Sequence, residues 1–445
     1  MKRFLLSLLM MQILHASFGQ YAISENKRYL LKDGKPFFWL GDTAWELFHR
    51  LNREEADQYL KRRAEQGFTV IQAVVLAELD GLRVPNAYGV LPLHNEDAAQ
   101  PNEAYFKHVD HIIDKAASYG LTVALLPTWG DKLFKDSWGK GPEIFTEEKA
   151  AIYGKWIGKR YRDKKNIIWV MGGDRNPRNE SDMAVWRSMA KAVIEGVGDA
   201  QKTLLTFHPQ PSALGSATWF AKDDWISFHM FQIGHCRDIA SYDLIRKVYD
   251  MVPDKPVMDG EPIYEDHPVC FNAKDLGTSN AYDVRKAAWI DLFAGSHGHT
   301  YGCHGVWQFY SEKTEGINGP HFFWKEALEL PGANQMKYVR KLMESFSIID
   351  RVPDQSILLE PATPPSERIQ ATRGKDYAFI YTAAGKSFTV DAGKLNATQL
   401  KASWYDPRNG ESKPIGNFGK QLPLLFHPPT AGYGQDWVLV LDGRN

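Results

Sequence analysis

From residue 37 to about residue 310, short runs of apolar, β-branched or aromatic residues alternate with longer segments whose apolar positions recur at helical spacing. That rhythm predicts βα units feeding a parallel sheet. Eight strands are expected, at Phe38 to Asp42, Thr69 to Leu76, Thr122 to Pro127, Ile167 to Gly172, Thr203 to His208, Trp225 to Met230, Pro256 to Glu261 and Gly302 to Gln308. Helices are expected between them. One is capped by Asn52, with Glu55 three residues on, and ends at Gly67. The others run over Tyr105 to Tyr119, Glu147 to Tyr161, Asp182 to Glu195, Asp238 to Tyr249 and Tyr282 to Ala294. The alternation predicts an α/β fold, a (β/α)8 barrel of the TIM type. No Gly-x-Gly-x-x-Gly follows the first strand and no phosphate-loop motif occurs, which removes the main support for a nucleotide-binding open sheet.

Before the first strand, Tyr29-Leu30-Leu31 and Pro36-Phe37-Phe38 flank Asp33-Gly34, a dipeptide suited to a tight hairpin that would cover the bottom of the barrel. After it, Pro353, Pro361, Pro364 and Pro365 mark a junction. Strand-like runs at Asp376 to Thr382, Ser387 to Asp391, Ala402 to Asp406 and Asp436 to Leu441 then predict a small antiparallel β-sandwich. The expected division is a barrel with its hairpin over 20–352 and a sandwich over 353–445. Residues 1–19 stand apart. Lys2 and Arg3, the apolar run Phe4 to Leu14 and the small residues before Gln20 predict a cleavable signal peptide, and with it a secreted or periplasmic protein. No later segment approaches the roughly 20 apolar residues of a spanning helix.

Composition adds boundaries. Of 445 residues, 44 % are hydrophobic and 24 % charged, which is ordinary for a globular chain. A formal net charge of -1 gives no electrostatic case for nucleic acid or an anionic membrane as partner. Cys236, Cys270 and Cys303 are odd in number and lack metal-ligand spacing; one bridge is possible, and burial as small hydrophobes is the favoured reading.

In such a barrel the functional groups stand at the C-terminal ends of the strands. Asp42 ends the first strand, with Trp45 and Glu46 behind it; Glu78 and Asp80 follow the second, and Trp129 and Asp131 the third. The fourth ends in Gly172-Gly173-Asp174-Arg175, the fifth in His208, the sixth near His229 and Gln232, the seventh in Gly260-Glu261, and the eighth in Trp307-Gln308. Glycoside hydrolysis needs two carboxyl groups, one to protonate the leaving oxygen and one to attack the anomeric carbon or activate water. Asp174 and Glu261 are the expected catalytic pair, since each follows a glycine that lets the chain turn at the strand end. Asp42, Trp45, Trp129, Asp131, Arg175, His208, His229, Gln232 and Trp307 are the expected substrate-binding groups, with the indoles offering stacking faces for a sugar ring. Helix capping is the competing role for Asp42 and Asp174. No cofactor or metal is called for: His-Glu-x-x-His and Gly-x-Ser-x-Gly are absent, and His297-x-His299 falls ahead of the expected eighth strand. A carbohydrate-binding barrel without catalysis is the alternative.

Four segments, Gly41-Asp42-Thr43-Ala44-Trp45, Gly67-Phe68-Thr69-Val70-Ile71-Gln72, Trp169-Val170-Met171-Gly172-Gly173-Asp174-Arg175-Asn176 and Gly260-Glu261-Pro262-Ile263-Tyr264-Glu265, together resemble glycoside hydrolase family 140, the apiosidase-like barrels. The tail, with Trp404-Tyr405-Asp406-Pro407-Arg408, resembles the sandwich fused to these barrels and labelled collagen-binding. The resemblance implies a retaining mechanism with Asp174 as acid/base and Glu261 as nucleophile. It also implies a pectic substrate, the apiose–galacturonate linkage of rhamnogalacturonan II side chains. Gly-Asp at the fourth strand departs from the Asn-Glu of many retaining barrels. Arg83, Lys132, Lys135 and Arg175 are available to meet an acidic sugar; glycosidases of other plant-polysaccharide specificity are the alternative.

Overall fold

The computed structural model describes residues 21–419 and 423–444, so the expected signal peptide lies outside the described residues. Eight parallel strands, Trp39–Thr43, Val70–Leu76, Thr122–Thr128, Ile167–Gly172, Leu205–His208, His229–Phe231, Val257–Asp259 and Gly298–Tyr301, form the barrel wall. They are numbered one to eight here. The first and eighth pair directly, and Ser227 N–H donates to Leu205 O at 2.7 Å where the fifth and sixth meet. The strands are buried along their whole length, as a sheet covered by helices on one side and packed inside on the other requires.

Local chemistry explains the helices. Asn52 and Glu55 form a reciprocal capping box on Arg53–Glu65, and Gly67 follows at φ +87°. Asn102, Thr146 and Asn179 cap later helices by accepting a backbone N–H, and Asn280 forms a second reciprocal box with Asp283. At the bottom, Leu30–Lys32 and Lys35–Phe37 form the expected hairpin about Asp33-Gly34, and Tyr21–Ile23 adds a third strand whose Tyr21 hydroxyl bonds Thr122 Oγ1 at 2.6 Å.

Two strands differ from the reading of the sequence. The sixth is His229–Phe231 rather than Trp225 to Met230, which puts His229 at its start. The eighth is Gly298–Tyr301; the apolar Val306-Trp307 run is instead a helical turn, His304–Trp307, beyond the strand end. Gly302 there lies under the Tyr264 ring, which leaves no room for a side chain.

The C-terminal unit has a six-stranded antiparallel sheet, in the order Val352–Pro353, Ile369–Arg373, Tyr377–Thr382, Trp437–Asp442, Gln399–Tyr405, Ser412–Gly419, and a two-stranded sheet of Phe388–Val390 with Leu424–Phe426. It is fastened to the barrel helix Ala281–Ala294. Arg285 donates to both carboxylate oxygens of buried Asp436, at 2.8 and 2.6 Å, and Trp289 stacks on Tyr381.

Candidate active site

A cavity of about 660 Å³ opens at the C-terminal ends of the strands. Asp174 and Glu261 both line it, together with Trp45, Trp129, Gln232 and Trp307. The backbone is bent to bring Asp174 there. Gly172 and Gly173 have φ of +87° and +115°, and Asp174 itself is left-handed at +51°. A Cβ on Gly173 would meet the Trp129 ring at 2.7 Å, so the glycines let the fourth strand turn tightly beneath an indole. Glu261 leaves the seventh strand through Gly260, and its N–H donates to Asp259 Oδ1 at 3.1 Å. The same oxygen accepts the Ile233 N–H at 3.2 Å, which binds the loops after the sixth and seventh strands together.

The two carboxyls have opposite tendencies. Burial raises Asp174, the charge of Glu261 raises it further, and His208, Arg175 and Gln232 offset only part, leaving it at about 6. Burial also disfavours ionised Glu261, but two imidazoles reverse the outcome and hold it well below the usual carboxylate range. His208 Nε2 stands 3.0 Å from Glu261 Oε2, and His235 Nε2 stands 3.2 Å from Oε1. Up to about pH 6 this site contains an ionised carboxylate beside a carboxyl that still holds a proton. Such a pair can donate to a leaving oxygen and attack the carbon it leaves.

The other expected residues separate into groups. His208 is wedged between Trp45 and Trp129, with ring centroids at 5.3 and 5.9 Å, and serves Glu261. Trp307 reaches the cavity from its helical turn. Five of the expected binding residues do not line the cavity: His208, which stands behind Glu261, and four others. Asp42 is fully buried, accepting from Arg63 Nε at 2.7 Å and from the Tyr59 hydroxyl at 2.5 Å. Asp131 is buried against Lys132 Nζ at 2.6 Å. Arg175 turns away, its guanidinium donating to the carbonyls of Phe134, Asp174 and Trp138. His229, at the start of its strand, bonds Ser216 Oγ at 3.0 Å, and burial lowers it to about 3.

The reading of the sequence left out His235, Tyr264, His267, Trp138 and Phe271, which also line the cavity. They belong to loops beyond the strand ends, where strand placement alone carries no signal. Glu78, noted on the rim, lines the cavity too; burial and the charges of Asp174, Asp131 and Glu46 push it well above its ordinary value. Protonated, it can donate to a sugar hydroxyl. Cys236 and Cys270 form a disulfide, correcting the reading of all three cysteines as buried small hydrophobes; Cys303 is free and buried. The cavity lining includes neither Lys nor Arg: Arg83 pairs with Glu96, and Lys135 donates to Gly141 O. Among the described residues no group of three or more His, Cys, Asp or Glu is placed to hold a metal ion, and no helix is long and apolar enough to cross a membrane.

Comparison with known proteins agrees with this geometry. Residues 24–350 match the family described as "Apiosidase-like, catalytic domain", and residues 352–442 match "Putative collagen-binding domain of a collagenase". Among solved structures, one described as a glycoside hydrolase is 34 % identical, with 95 % of this chain and 97 % of that chain covered and a TM-score of 0.87. A glycoside hydrolase family 5 structure from Bacteroides vulgatus is 33 % identical, with 95 % and 93 % covered and a TM-score of 0.86. A β-L-arabinopyranosidase from Geobacillus stearothermophilus shares the fold alone, at 10 % identity, 92 % and 97 % coverage and a TM-score of 0.56. No curated protein matches.

Proposed function

Because the chain belongs to the apiosidase-like family and is a glycoside hydrolase, we propose that it cleaves the apiose–galacturonate linkage of rhamnogalacturonan II side chains by a retaining, two-carboxylate mechanism. The placement of Asp174 and Glu261 on one cavity, with two imidazoles within 3.0 and 3.2 Å of Glu261 alone, is the observation that carries this reading. Glu261 attacks the anomeric carbon as the glycosidic C–O bond breaks, and Asp174 gives its proton to the departing oxygen. Asp174, now ionised, takes a proton from water, and that water displaces Glu261 from the sugar.

The charge of the lining shapes the specificity. A galacturonate carboxylate inside a cavity lined by carboxyls and by neither Lys nor Arg would lose its hydration with no ammonium or guanidinium to replace it. The neutral apiose therefore occupies the cavity, and the acidic unit stays at its solvent-facing mouth. Export through the N-terminal segment would bring the enzyme to such a polysaccharide.

Incubating the purified protein with rhamnogalacturonan II, arabinan, xylan and cellulose fragments, with NMR of the first-formed anomer, tests the reading. Release of apiose with retained configuration is expected. Cleavage of arabinan, xylan or cellulose fragments alone would overturn the specificity. Binding without turnover of any of them would favour a non-catalytic barrel.

A further inference from the structure

The Cys236–Cys270 disulfide joins the loop after the sixth strand to the loop after the seventh, and Cys236 lies on the cavity wall. His235, its chain neighbour, has Nε2 at 3.2 Å from Glu261. Across the bridge, the Cys270 N–H donates to His235 O at 2.8 Å. Cys270 and Phe271 both have left-handed backbones, at φ +51° and +59°, a conformation side-chain-bearing residues adopt only when their surroundings impose it. Phe271 is 64 % exposed, an unusual position for so large an apolar ring, yet it lines the cavity and lies edge-on to His235 and His267 at 5.5 and 5.0 Å. The His235 ring also contacts Tyr264 and His267, with centroids at 4.5 and 4.2 Å. Backbone hydrogen bonds, among them Gly234 N–H to Glu261 O at 3.1 Å, also join the two loops, but the His235 ring gains none at Nδ1, which is buried without a partner.

We propose that the Cys236–Cys270 disulfide is a positioning element of the catalytic centre, holding His235 against Glu261 and the Phe271 loop over the cavity mouth. The inference deepens the reading of Glu261 as nucleophile and rests on it. With the bridge gone, the two loops lose their covalent tie and His235 no longer has a fixed approach to the carboxylate. Glu261 is faced as well by Asp174, His208, Tyr264, His267 and Asp259. All of these remain in a variant lacking only the bridge, so a change at Glu261 reports His235.

The test follows the ¹³C-carboxyl NMR titration of Glu261, assigned by its loss in Glu261→Gln, which needs no substrate. It compares wild type, Cys236→Ser/Cys270→Ser, His235→Gln and the triple variant. The account expects the Glu261 midpoint to rise by about 1 pH unit or more in the double variant. It expects no further rise when the bridge is removed from His235→Gln, because the two changes act through one contact. Native protein reduced with a phosphine supplies the same comparison if the double variant does not fold. An unmoved midpoint in folded, bridge-free protein, or additive shifts, would overturn the proposal. Turnover by Glu261→Gln would instead overturn the nucleophile assignment and leave the titration result standing.

Discussion

His208 Nε2 stands 3.0 Å from Glu261 Oε2 while its ring meets the Trp45 indole edge-on at 5.3 Å. One imidazole thus carries the chemistry of the fifth strand end to the seventh, with the indole packed against its ring. Replacing His208 by Gln removes an interaction that favours ionised Glu261. The acid limb of kcat/KM should move upward, so that the variant's relative loss grows as pH falls below about 5. A pH–rate profile of the variant checks this.

Asp174 must hold a proton to act as acid, and it loses that proton near pH 6. Activity should therefore fall as pH rises through about 6. Asp174→Asn should lower kcat/KM about 10²–10⁴-fold. A substrate with a good leaving group should suffer less, since it needs no protonation, and comparison of two leaving groups in the variant reads this directly.

Asp42 ends the first strand but belongs to the core, buried with Arg63 and Tyr59. Asp42→Ala leaves the guanidinium buried without its partner and should cost about 3–5 kcal/mol of stability. KM should be unchanged at a temperature where the variant is folded. Thermal melts beside steady-state kinetics separate the two effects.

Arg285 and Asp436 join the barrel helix to the C-terminal sheet, and the Tyr381 hydroxyl adds a third bond at 3.1 Å. Arg285→Ala should destabilise by about 3–5 kcal/mol. An apolar pair, Arg285→Met with Asp436→Leu, should recover most of that. Calorimetry of the three proteins is the check, and kcat at 25 °C should hardly change if the sandwich is a packing partner of the barrel.

Behind Glu261, burial raises Asp291 to about 7 and raises neighbouring Asp259 well above its ordinary value. An unfolded aspartate titrates near 4. Between about pH 4 and 7 the folded chain therefore binds the extra proton, and stability falls as pH rises through that window. Asp291→Asn, which stays neutral, should be close to wild type at pH 4 and more stable at pH 8, by on the order of 4 kcal/mol at most. Melting curves at the two pH values test the sign.

Much of this was legible in the chain because period and capping are local. The Asn52 and Glu55 capping box, and the glycines before Asp174 and Glu261, are visible as residues a few positions apart. The eighth strand was not, because Gly-His-Thr-Tyr is short and polar beside the more apolar Val306-Trp307. The role of Asp42 was hidden because its partner, Arg63, is one helix away. His235 reaches Glu261 only when the loops after the sixth and seventh strands meet, and no spacing along the chain records that.

The central claim is that Glu261 bonds to the sugar while Asp174 moves the proton. Mass spectrometry of the protein after reaction with a fluorinated, slowly hydrolysed glycoside of the substrate sugar tests it most directly. The account predicts a glycosyl adduct on the peptide carrying Glu261 and none on the peptide carrying Asp174. An active enzyme that forms no adduct, or forms it on another residue, would contradict it.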